Sequence, residues 1–526
     1  MALAGEVSSR TDHADARRRC IAVREALIRA GLFSETVVDS AAAPGWRVSP
    51  SPFLLTPEQL RFFETLGGHL LAFSRALNRL YFESVHGTQP VWVAAYLDQG
   101  KPDSLIAYSR LDRFRDLLPD VIRPDVIPTE TGMVITELDS VPGGMGLTAC
   151  MAQAYAQEPV AGSEVRSSKF EVVEPGTPNQ NPEASTSNLE PRTSNVSFGL
   201  VGGPDGMMRG YAAMLRERME GRSGGVAIVV SEEAQDYRPE MEWMAARLRE
   251  QDLAAFCVEP DEVDFTEDGL RLARDHRPIA LLYRFFELFD LPNVPKSELI
   301  MYAGKQGRVA VTPPFKPQQE EKLAFALFHH PALTAFWQAE LGGETHAVLS
   351  RLLPKTWVLD PRPLPPAAVI PGLQLGGRAI ADWRDLGHAT QKGRRYVIKP
   401  SGFSPLAWGS RGVSVGHDLP QSEWAAVIDQ ALASFSTTPH ILQEFHKGRQ
   451  FELPYYNESA QALVPMAGRA RLSPYYFVAG GKAELAGILA TVCPLDKKVI
   501  HGMKDAIMAP CAVAQGAFES PKVQTS

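Results

Sequence analysis

The sequence lacks the features of several large classes of protein. No apolar run approaches the roughly 20 residues that a membrane-spanning helix needs. The first twenty residues are polar and charged, without the apolar core of a signal peptide. The net charge is −8 over 526 residues, so the chain has no basic excess of the kind that nucleic-acid-binding proteins carry. We therefore expect a cytoplasmic protein with no membrane and no nucleic-acid partner; the composition does not predict the oligomeric state.

Cysteine is also scarce, and the spacing of its five residues suggests neither a disulfide framework nor a zinc site. We expect reduced thiols at all five positions, as is usual in the cytoplasm. The positions are Cys20, Cys150, Cys257, Cys493 and Cys511.

The length and the hydrophobic pattern indicate a globular chain of several units. A chain of 526 residues exceeds one ordinary core, so two to four units are expected. Thr56 and Pro57 predict the start of a long amphipathic helix, whereas the apolar stretch PVWVAAYL from Pro90 predicts a strand. From Gly224, strands alternate with helices, which predicts a parallel sheet and a mixed α/β (α+β) fold class.

Three carboxylates are spaced as a hairpin would bring them together. A turn near Thr131 would place Asp125 opposite Glu137, and Asp139 would share the face of Glu137. Carboxylates that converge repel one another unless a cation is present, and oxygen ligands suit magnesium. The alternative is a solvated hairpin whose acidic face points to water.

A lysine ends an apolar strand much later in the chain. VIK finishes on Lys399 and is followed by a loop that contains Gly409, Ser410, Arg411 and Gly412. Glycines let backbone amides approach an anion, so lysine and loop together resemble a phosphate cradle. The loop has neither the Gly-Lys-Ser/Thr ending of a P-loop nor the GxGxxG spacing of a dinucleotide fold. The alternative is an ordinary glycine-rich connection between strands.

These motifs together resemble the ATP-grasp superfamily. VIKPSGFSPLAWGSRGVSVG is similar to its lysine strand and glycine loop, HILQEF to its adenine-binding strand, and RPD…ELDSVPGG to its metal motif. The metal motif here precedes the lysine strand, which resembles the circularly permuted branch that includes glutathionylspermidine synthetase-like proteins. Asp139 stands where that family has an asparagine.

The resemblance implies an ATP- and magnesium-dependent ligase that joins a carboxylate to an amine through an acyl phosphate, with small-molecule or peptide substrates. It implies three sets of site residues. The metal ligands would be Asp125, Glu137 and Asp139. The residues that bind the nucleotide would be Lys355, Lys399, Gly409, Ser410, Arg411, Gly412, Gln443, Glu444 and Phe445. The arginines that face the acyl phosphate or the substrate carboxylate would be Arg123, Arg284 and Arg471.

Three points stay open in the sequence. Lys322 is the other candidate for the first phosphate-binding lysine, although we favour Lys355 because a strand follows it. The second candidate function is a nucleotide-binding scaffold or regulatory protein with the same fold. The third candidate function is phosphoryl transfer that stops at a phosphorylated product.

The composition along the chain and the resemblance together predict a division of the chain. In chain order the predicted units are a helical region with the metal-binding hairpin (1–156), a disordered insertion rich in Ser, Thr, Asn and Pro (157–200), an α/β pre-ATP-grasp domain (201–320), a helical connector (321–394), the nucleotide-binding region (395–515) and a flexible tail (516–526).

Overall fold

A computed structural model describes residues 3–33, 45–157, 197–407, 409, 411–497, 499–500 and 505–515. The predicted tail at 516–526 and most of the predicted insertion lie outside these residues. The α-helices in the described part are α1 (Leu3–Arg29), α2 (Pro57–Val85), α3 (Trp92–Asp98), α4 (Asp103–Ser109), α5 (Met145–Gln157), α6 (Gly206–Arg218), α7 (Arg238–Arg249), α8 (Ser297–Lys305), α9 (Leu323–His329), α10 (Thr334–Leu352), α11 (Pro366–Val369) and α12 (Gln421–Ala433).

The β-strands of the described residues form four sheets. They are β1 (Arg47–Val48), β2 (Phe53–Leu55), β3 (Val121–Thr129), β4 (Gly132–Asp139), β5 (Ser197–Leu200), β6 (Gly225–Val230), β7 (Ala255–Val258), β8 (Val263–Thr266), β9 (Gly269–Leu272), β10 (Pro278–Phe285), β11 (Ala310–Thr312), β12 (Thr356–Val358), β13 (Gln374–Leu375), β14 (Arg378–Ala379), β15 (Tyr396–Pro400), β16 (Ser414–Val415), β17 (His440–Glu444), β18 (Gln450–Asn457), β19 (Ala462–Ala479), β20 (Lys482–Pro494) and β21 (Ile507–Gln515).

The largest sheet joins early and late parts of the chain. Its main order is β1-β21-β20-β19-β3-β4, and β18, β2 and β5 pair at its sides. The early hairpin β3–β4 is attached through β19, where Val126 pairs with Leu472 and Ile122 with Tyr476. This pairing fixes the hairpin carboxylates relative to the C-terminal strands.

The chain from Gly225 to Thr312 forms a separate six-stranded sheet with its helices, here called the α/β sheet unit, as the alternation of strands and helices predicts. Its order is β7-β6-β10-β9-β8, with β11 beside β10. Strands β6, β7, β10 and β11 run parallel, and β9 is antiparallel to β10. The mixed α/β class is therefore confirmed.

A four-stranded antiparallel sheet carries the late lysine. Its order is β12-β17-β15-β16, and Lys399 in β15 pairs with Ile441 in β17. Strand β12 precedes residue 395, so the predicted boundary at that position separates β12 from the strands of its own sheet.

The predicted helix start at Thr56 is confirmed. The Thr56 hydroxyl accepts from the Gln59 N–H at 3.1 Å, and the Gln59 side chain accepts from the Thr56 N–H at 2.9 Å. This reciprocal pair satisfies two backbone donors at the start of α2. The buried face of α2 then packs into the main hydrophobic core.

One predicted strand is wrong. PVWVAAYL contains the helix α3, whose buried residues are Val93, Ala94, Tyr96 and Leu97. Residues that are one and three positions apart share one face of a helix, but in a strand they point to opposite faces. The aromatic and β-branched residues suggested a strand, but packing against α2 and α9 selects the helix.

Both ends of the predicted insertion belong to regular structure. Gln157 is the last residue of α5, and Ser197–Leu200 form β5, which pairs with β21, so disorder is wrong for these residues. The interval 158–196 lies outside the described residues. The two chain segments that flank the predicted insertion are in contact, because Gln153 Nε2 donates to Asp205 Oδ1 at 3.1 Å.

A buried ion pair holds the start of the glycine loop. Lys101 Nζ lies 2.7 Å from Glu321 Oε2, and both side chains are fully buried. The same carboxylate accepts from the Ser401 hydroxyl at 2.6 Å and from the Gly402 N–H at 3.0 Å. Glu321 thus connects the chain before α9 to the loop that follows β15.

We expect Lys101→Met to lower the free energy of unfolding by about 3–5 kcal/mol, because the buried Glu321 carboxylate would lose its cationic partner. Urea unfolding of the variant and of the wild type measures the difference. Lys392→Met removes an exposed lysine and is the matched control. Equal stability of the two variants would contradict the account.

Candidate functional site

The hairpin has the register that the sequence predicts. Asp125 pairs with Glu137 and Arg123 with Asp139, and the turn falls at Glu130 and Thr131. A bulge between Asp125 and Val126 shifts the remaining pairs without separating the carboxylates. The three predicted acidic residues line a single cleft of about 410 Å³.

Two arginines bind the carboxylates at one end of this hairpin. Arg123 Nη2 lies 2.9 Å from Asp139 Oδ2 and 3.4 Å from Asp125 Oδ1. From β19, Arg471 Nη1 lies 3.0 Å from Asp125 Oδ2, and the Ser473 hydroxyl donates to Asp125 Oδ1 at 3.1 Å. Strands β3 and β19 thus bring the predicted arginines Arg123 and Arg471 to the predicted metal ligands.

The third carboxylate is bound by two lysines from distant parts of the chain. Lys322 Nζ lies 3.1 Å and Lys399 Nζ 3.5 Å from Glu137 Oε1. Lys399 also donates to the Thr136 carbonyl at 3.0 Å, and Lys322 to the Ala407 carbonyl at 2.7 Å. The late strand, the glycine loop and the early hairpin therefore meet at one carboxylate.

This arrangement controls the protonation of Glu137. Burial alone would raise its pKa, but the ammonium groups of Lys322 and Lys399 outweigh burial and lower the pKa to about 2. Because the folded value lies below the ordinary value of 4.5, the ionised form stabilises the folded state at neutral pH. That stabilisation is present above pH 4.5 and is lost as the pH falls towards 2.

We expect Glu137→Gln to remove about 3 kcal/mol of this pH dependence, since one pKa unit corresponds to about 1.4 kcal/mol. Urea unfolding from pH 6 down to pH 2 tests the expectation. The stability difference between wild type and variant should be largest above pH 5 and should shrink as the pH falls. A difference that stays constant over this range would show that the lysines do not set the titration of Glu137.

The glycine loop reaches the same cleft. Gly402, Ala407 and Gly409 line it. Gly409 has φ of +63°, a conformation that glycine adopts without strain. Ser410 lies outside the described residues.

The two loop residues that follow do not line the cleft. Arg411 Nη1 lies 3.3 Å from Glu233 Oε1 of the α/β sheet unit. Gly412 packs against Pro400 and the Leu406 carbonyl, where an added Cβ would lie within 3 Å of both. Gly409 is therefore the described member of the predicted set 409–412 that faces the hairpin carboxylates.

The residues predicted to bind adenine lie at the end of β17. Gln443 is buried, and its Nε2 donates to Thr356 Oγ1 at 3.3 Å. The backbone N–H of Glu444 donates to the Lys355 carbonyl, and that of Phe445 to the Arg395 carbonyl. The ring of Phe445 meets His417 edge-on at 4.5 Å. None of the three residues lines the cleft that holds the hairpin carboxylates.

The two candidate lysines have different surroundings. Lys322 lies in the cleft and binds Glu137. Lys355 is exposed and immediately precedes β12. Strand β12 belongs to the same sheet as β15, which contains Lys399. The predicted Arg284 is fully buried behind the cleft, where its guanidinium binds Glu320 and the carbonyls of Pro313 and Phe286.

Sequence reasoning missed three further carboxylates of the cleft, which come from the α/β sheet unit and the chain after it. Glu240 in α7 accepts from the N–H groups of Gly144 and Gly146. Glu287 follows the end of β10 by two residues, and Glu320 binds Arg284. The position of Glu287 was the available signal, since ligands of open α/β sheets bind at the carboxyl ends of strands.

The protonation of these missed carboxylates is shifted. Burial raises the pKa of Glu240 to about 7. Burial, with the negative charges of Glu320 and Asp139, raises the pKa of Glu287 to about 8. Burial likewise raises the pKa of Asp139 above its usual value, although Arg123 opposes this. The cleft therefore contains carboxyl groups that titrate near neutral pH.

The donor chemistry of the hairpin fits magnesium, because three carboxylates supply the oxygen ligands that this ion prefers. Within the described residues, however, no three acidic, histidine or cysteine side chains are grouped as a metal site. Asp125, Glu137 and Asp139 each bind a cationic side chain instead. A metal ion at the hairpin would therefore replace arginine and lysine contacts.

Other sequence-based expectations concern the chain as a whole. The five cysteines, all of them among the described residues, form no disulfide. In the part of the chain that the structure covers, no helix has the length and apolar character to cross a membrane.

Comparison with known proteins gives a likeness of fold. No protein-family model matches the sequence, and no curated protein sequence matches it. A solved structure of a glutathione synthetase-like effector (GSS30) from Globodera pallida matches with a TM-score of 0.53 at 10% identity, over 94% of this chain and 96% of that one.

A second solved structure is that of a putative gamma-glutamylcysteine synthetase from Methylobacillus flagellatus KT. It matches with a TM-score of 0.39 at 11% identity over 92% of each chain, a score that supports no conclusion about the fold. The chain is therefore similar in fold to the glutathione synthetase-like effector, and this likeness concerns the fold alone.

Proposed function

We propose that this protein is an ATP- and magnesium-dependent ligase that joins a carboxylate to an amine, with an ATP-grasp fold. One observation carries the proposal. Lys399 Nζ in the late sheet lies 3.5 Å from Oε1 of Glu137 in the early hairpin, 262 positions away in sequence, and Glu137 lines the cleft. Convergence of a buried cationic strand end and a carboxylate hairpin is what a metal–nucleotide site requires.

We also propose that the chain has the circularly permuted order. The early hairpin pairs with β19, so the first and last parts of the chain form one sheet. The α/β sheet unit lies between them in sequence, in the place of a pre-ATP-grasp domain.

The reaction proposed for the cleft has two steps. A substrate carboxylate oxygen attacks the γ-phosphorus of ATP, the bond to the β-phosphate oxygen breaks, and ADP leaves. The amine nitrogen then attacks the acyl carbon, phosphate leaves with the bonding electron pair, and the nitrogen loses a proton. The protein needs no nucleophile of its own, because positioning and neutralisation of charge supply the catalysis.

Arg123, Arg471 and Lys322 line the cleft, and Lys399 is buried beside Glu137; these side chains have the charge that this chemistry needs. Lys322 and Lys399 would bind phosphate oxygens. Arg123 and Arg471 would bind the substrate carboxylate or the acyl phosphate, since a guanidinium fork matches planar oxyanions. Arg284 would act by positioning Glu320. Magnesium, held by the hairpin carboxylates, would supply further neutralisation of phosphate charge.

The nucleotide base would lie near the end of β17. The Phe445 ring, the Glu444 side chain and the amide of Gln443, one N–H of which donates to Thr356, are the groups there. Ser410, Arg411 and Gly412 would belong to the loop that covers the phosphates. Lys355, which immediately precedes β12 of the sheet that contains Lys399, would be the further phosphate-binding lysine.

Phosphate release measured over a panel of acid–amine pairs with MgATP tests the proposal. A ligase should release phosphate with at least one pair and form an equal amount of amide, detected by mass spectrometry. A phosphorylated product without an amide would show that the reaction stops after phosphoryl transfer.

A nucleotide-binding scaffold with this fold is the second candidate. The observation that favours it is the pairing of each hairpin carboxylate with an arginine or a lysine, which leaves no preformed group of metal ligands in the described residues. A scaffold would bind ATP in calorimetry and release no phosphate with any pair.

A further inference from the structure

A second cavity lies between residues 108–120, which belong to the N-terminal region of the chain, and the α/β sheet unit. Its volume is about 340 Å³, within the usual range for small-molecule sites, and it shares no lining residue with the cleft described above. Its walls come from the chain around α4, from the end of α6 and from the segment between α8 and residue 315. Nothing in the proposed ligation uses this cavity.

Three arginines line the cavity with a single aspartate. Arg218 Nε donates to Asp120 Oδ2 at 2.6 Å, and a second guanidinium nitrogen binds the other oxygen. The Thr312 hydroxyl also donates to Asp120 Oδ2 at 2.7 Å, so both oxygens of this carboxylate accept hydrogen bonds. Three positive charges against one negative charge leave an excess of two.

The other two guanidinium groups are held by backbone carbonyls. Arg113 donates to the Lys305 carbonyl, and Arg222 Nη1 donates to the Gly307 carbonyl at 2.9 Å. Within the described residues neither forms a salt bridge, and Asp112, next to Arg113, binds Arg115 instead. Each carbonyl contact orients a guanidinium at the cavity while most of its five N–H donors stay available.

The apolar side of the cavity is aromatic and fixed in place. Tyr108 stacks on Phe114 at 4.7 Å between ring centroids and meets Phe315 edge-on at 5.8 Å. The Tyr108 hydroxyl donates to the Met301 carbonyl at 2.8 Å, which holds the ring against α8. A flat apolar group would therefore find a preformed surface beside the arginines.

We propose that this cavity binds a phosphate monoester carried on a flat, unsaturated body. A phosphomonoester has a charge of about −1.5 to −2 at neutral pH, which matches the excess of two positive charges. Arginine forks bind phosphate oxygens in pairs, and the aromatic side accepts the body of the ligand. Because Arg113 belongs to the N-terminal region and Arg222 follows α6, the ligand joins these two parts of the chain.

Calorimetric titration of the full-length protein with phenyl phosphate tests the proposal. The wild type should bind saturably, and Arg113→Gln and Arg222→Gln should each weaken binding about tenfold. Both arginines are exposed, so the variants should fold. Arg209→Gln is the matched control, because Arg209 is an exposed arginine of α6 that also donates to one carbonyl but lies outside the cavity.

Two comparisons separate this site from the main cleft and test both halves of the ligand. Lys399→Met should leave phenyl phosphate binding unchanged, and inorganic phosphate and benzyl alcohol should each bind much more weakly than phenyl phosphate. The proposal is overturned if phenyl phosphate does not saturate the wild type, if Lys399→Met abolishes binding while the arginine variants retain it, or if inorganic phosphate binds as tightly. None of these outcomes depends on ligase activity.

Discussion

Glu137→Gln should reduce magnesium-dependent phosphate release by about 10³-fold or more, while the protein stays folded. The carboxylate is the point where Lys322, Lys399 and the hairpin meet, and its pKa of about 2 keeps it ionised at neutral pH. Glutamine keeps the size and one oxygen but removes the charge, which weakens any magnesium ion at the hairpin. Losses of this size are typical when a group that stabilises transferred charge is removed.

Turnover is measured as phosphate release with an acid–amine pair that the wild type accepts. Glu130→Gln is the matched control, because Glu130 is exposed at the turn of the same hairpin. It should retain wild-type turnover. Near-native turnover of Glu137→Gln would count heavily against the ligase assignment. Circular dichroism shows whether the variant is folded, so that a loss of turnover caused by unfolding is distinguished from a loss of catalysis.

Lys399→Met should lower turnover by about 10²–10³-fold and weaken the binding of ATP. Only the Nζ end of this buried side chain has polar contacts, with Glu137 and the Thr136 carbonyl. Methionine preserves the apolar stem in β15, so the change removes the cation and little of the packing. The expected loss follows from the missing positive charge beside the transferred phosphate.

The same substitution at Lys322 and at Lys355 tests which of these two lysines is the first phosphate-binding lysine. Lys322→Met should resemble Lys399→Met, because both ammonium groups bind the same carboxylate oxygen. If Lys355→Met also reduces ATP affinity, the exposed lysine beside β12 takes part as the sequence resemblance implies. If Lys399→Met kept the ATP affinity and the turnover of the wild type, the proposal that Lys399 binds phosphate would be wrong.

The hairpin shows why part of the site was predictable. The turn at Glu130 and Thr131 and the two-residue period of a strand fix which residues face one another, so Asp125 opposite Glu137 followed from local rules. The same locality applies to Thr56, whose capping interaction spans three residues. Both predictions concern residues whose partners are close in sequence.

The rest of the cleft depends on contacts across long separations. Glu240 and Glu287 come from the α/β sheet unit. The position of Glu287 after β10 indicates a ligand-binding edge, but no local pattern indicates that Glu240 reaches Gly144 or that Glu287 lies in the cleft of Asp139. The contrast between Lys322 in the cleft and Lys355 at the surface is likewise set by how α9 and β12 pack. Helix α3 shows the same limit, because its burial against α2 and α9 overrode residue preferences.

The central claim is that the early carboxylate hairpin and the late lysine strand bind one metal–nucleotide complex. The most direct test is a crystal structure with Mn²⁺ and a non-hydrolysable ATP analogue, with the metal located by its anomalous signal. The account predicts a manganese peak bound by Glu137 and at least one of Asp125 and Asp139, with Lys399 on a phosphate oxygen. Nucleotide bound elsewhere, with the Glu137–Lys399 contact intact, would contradict it.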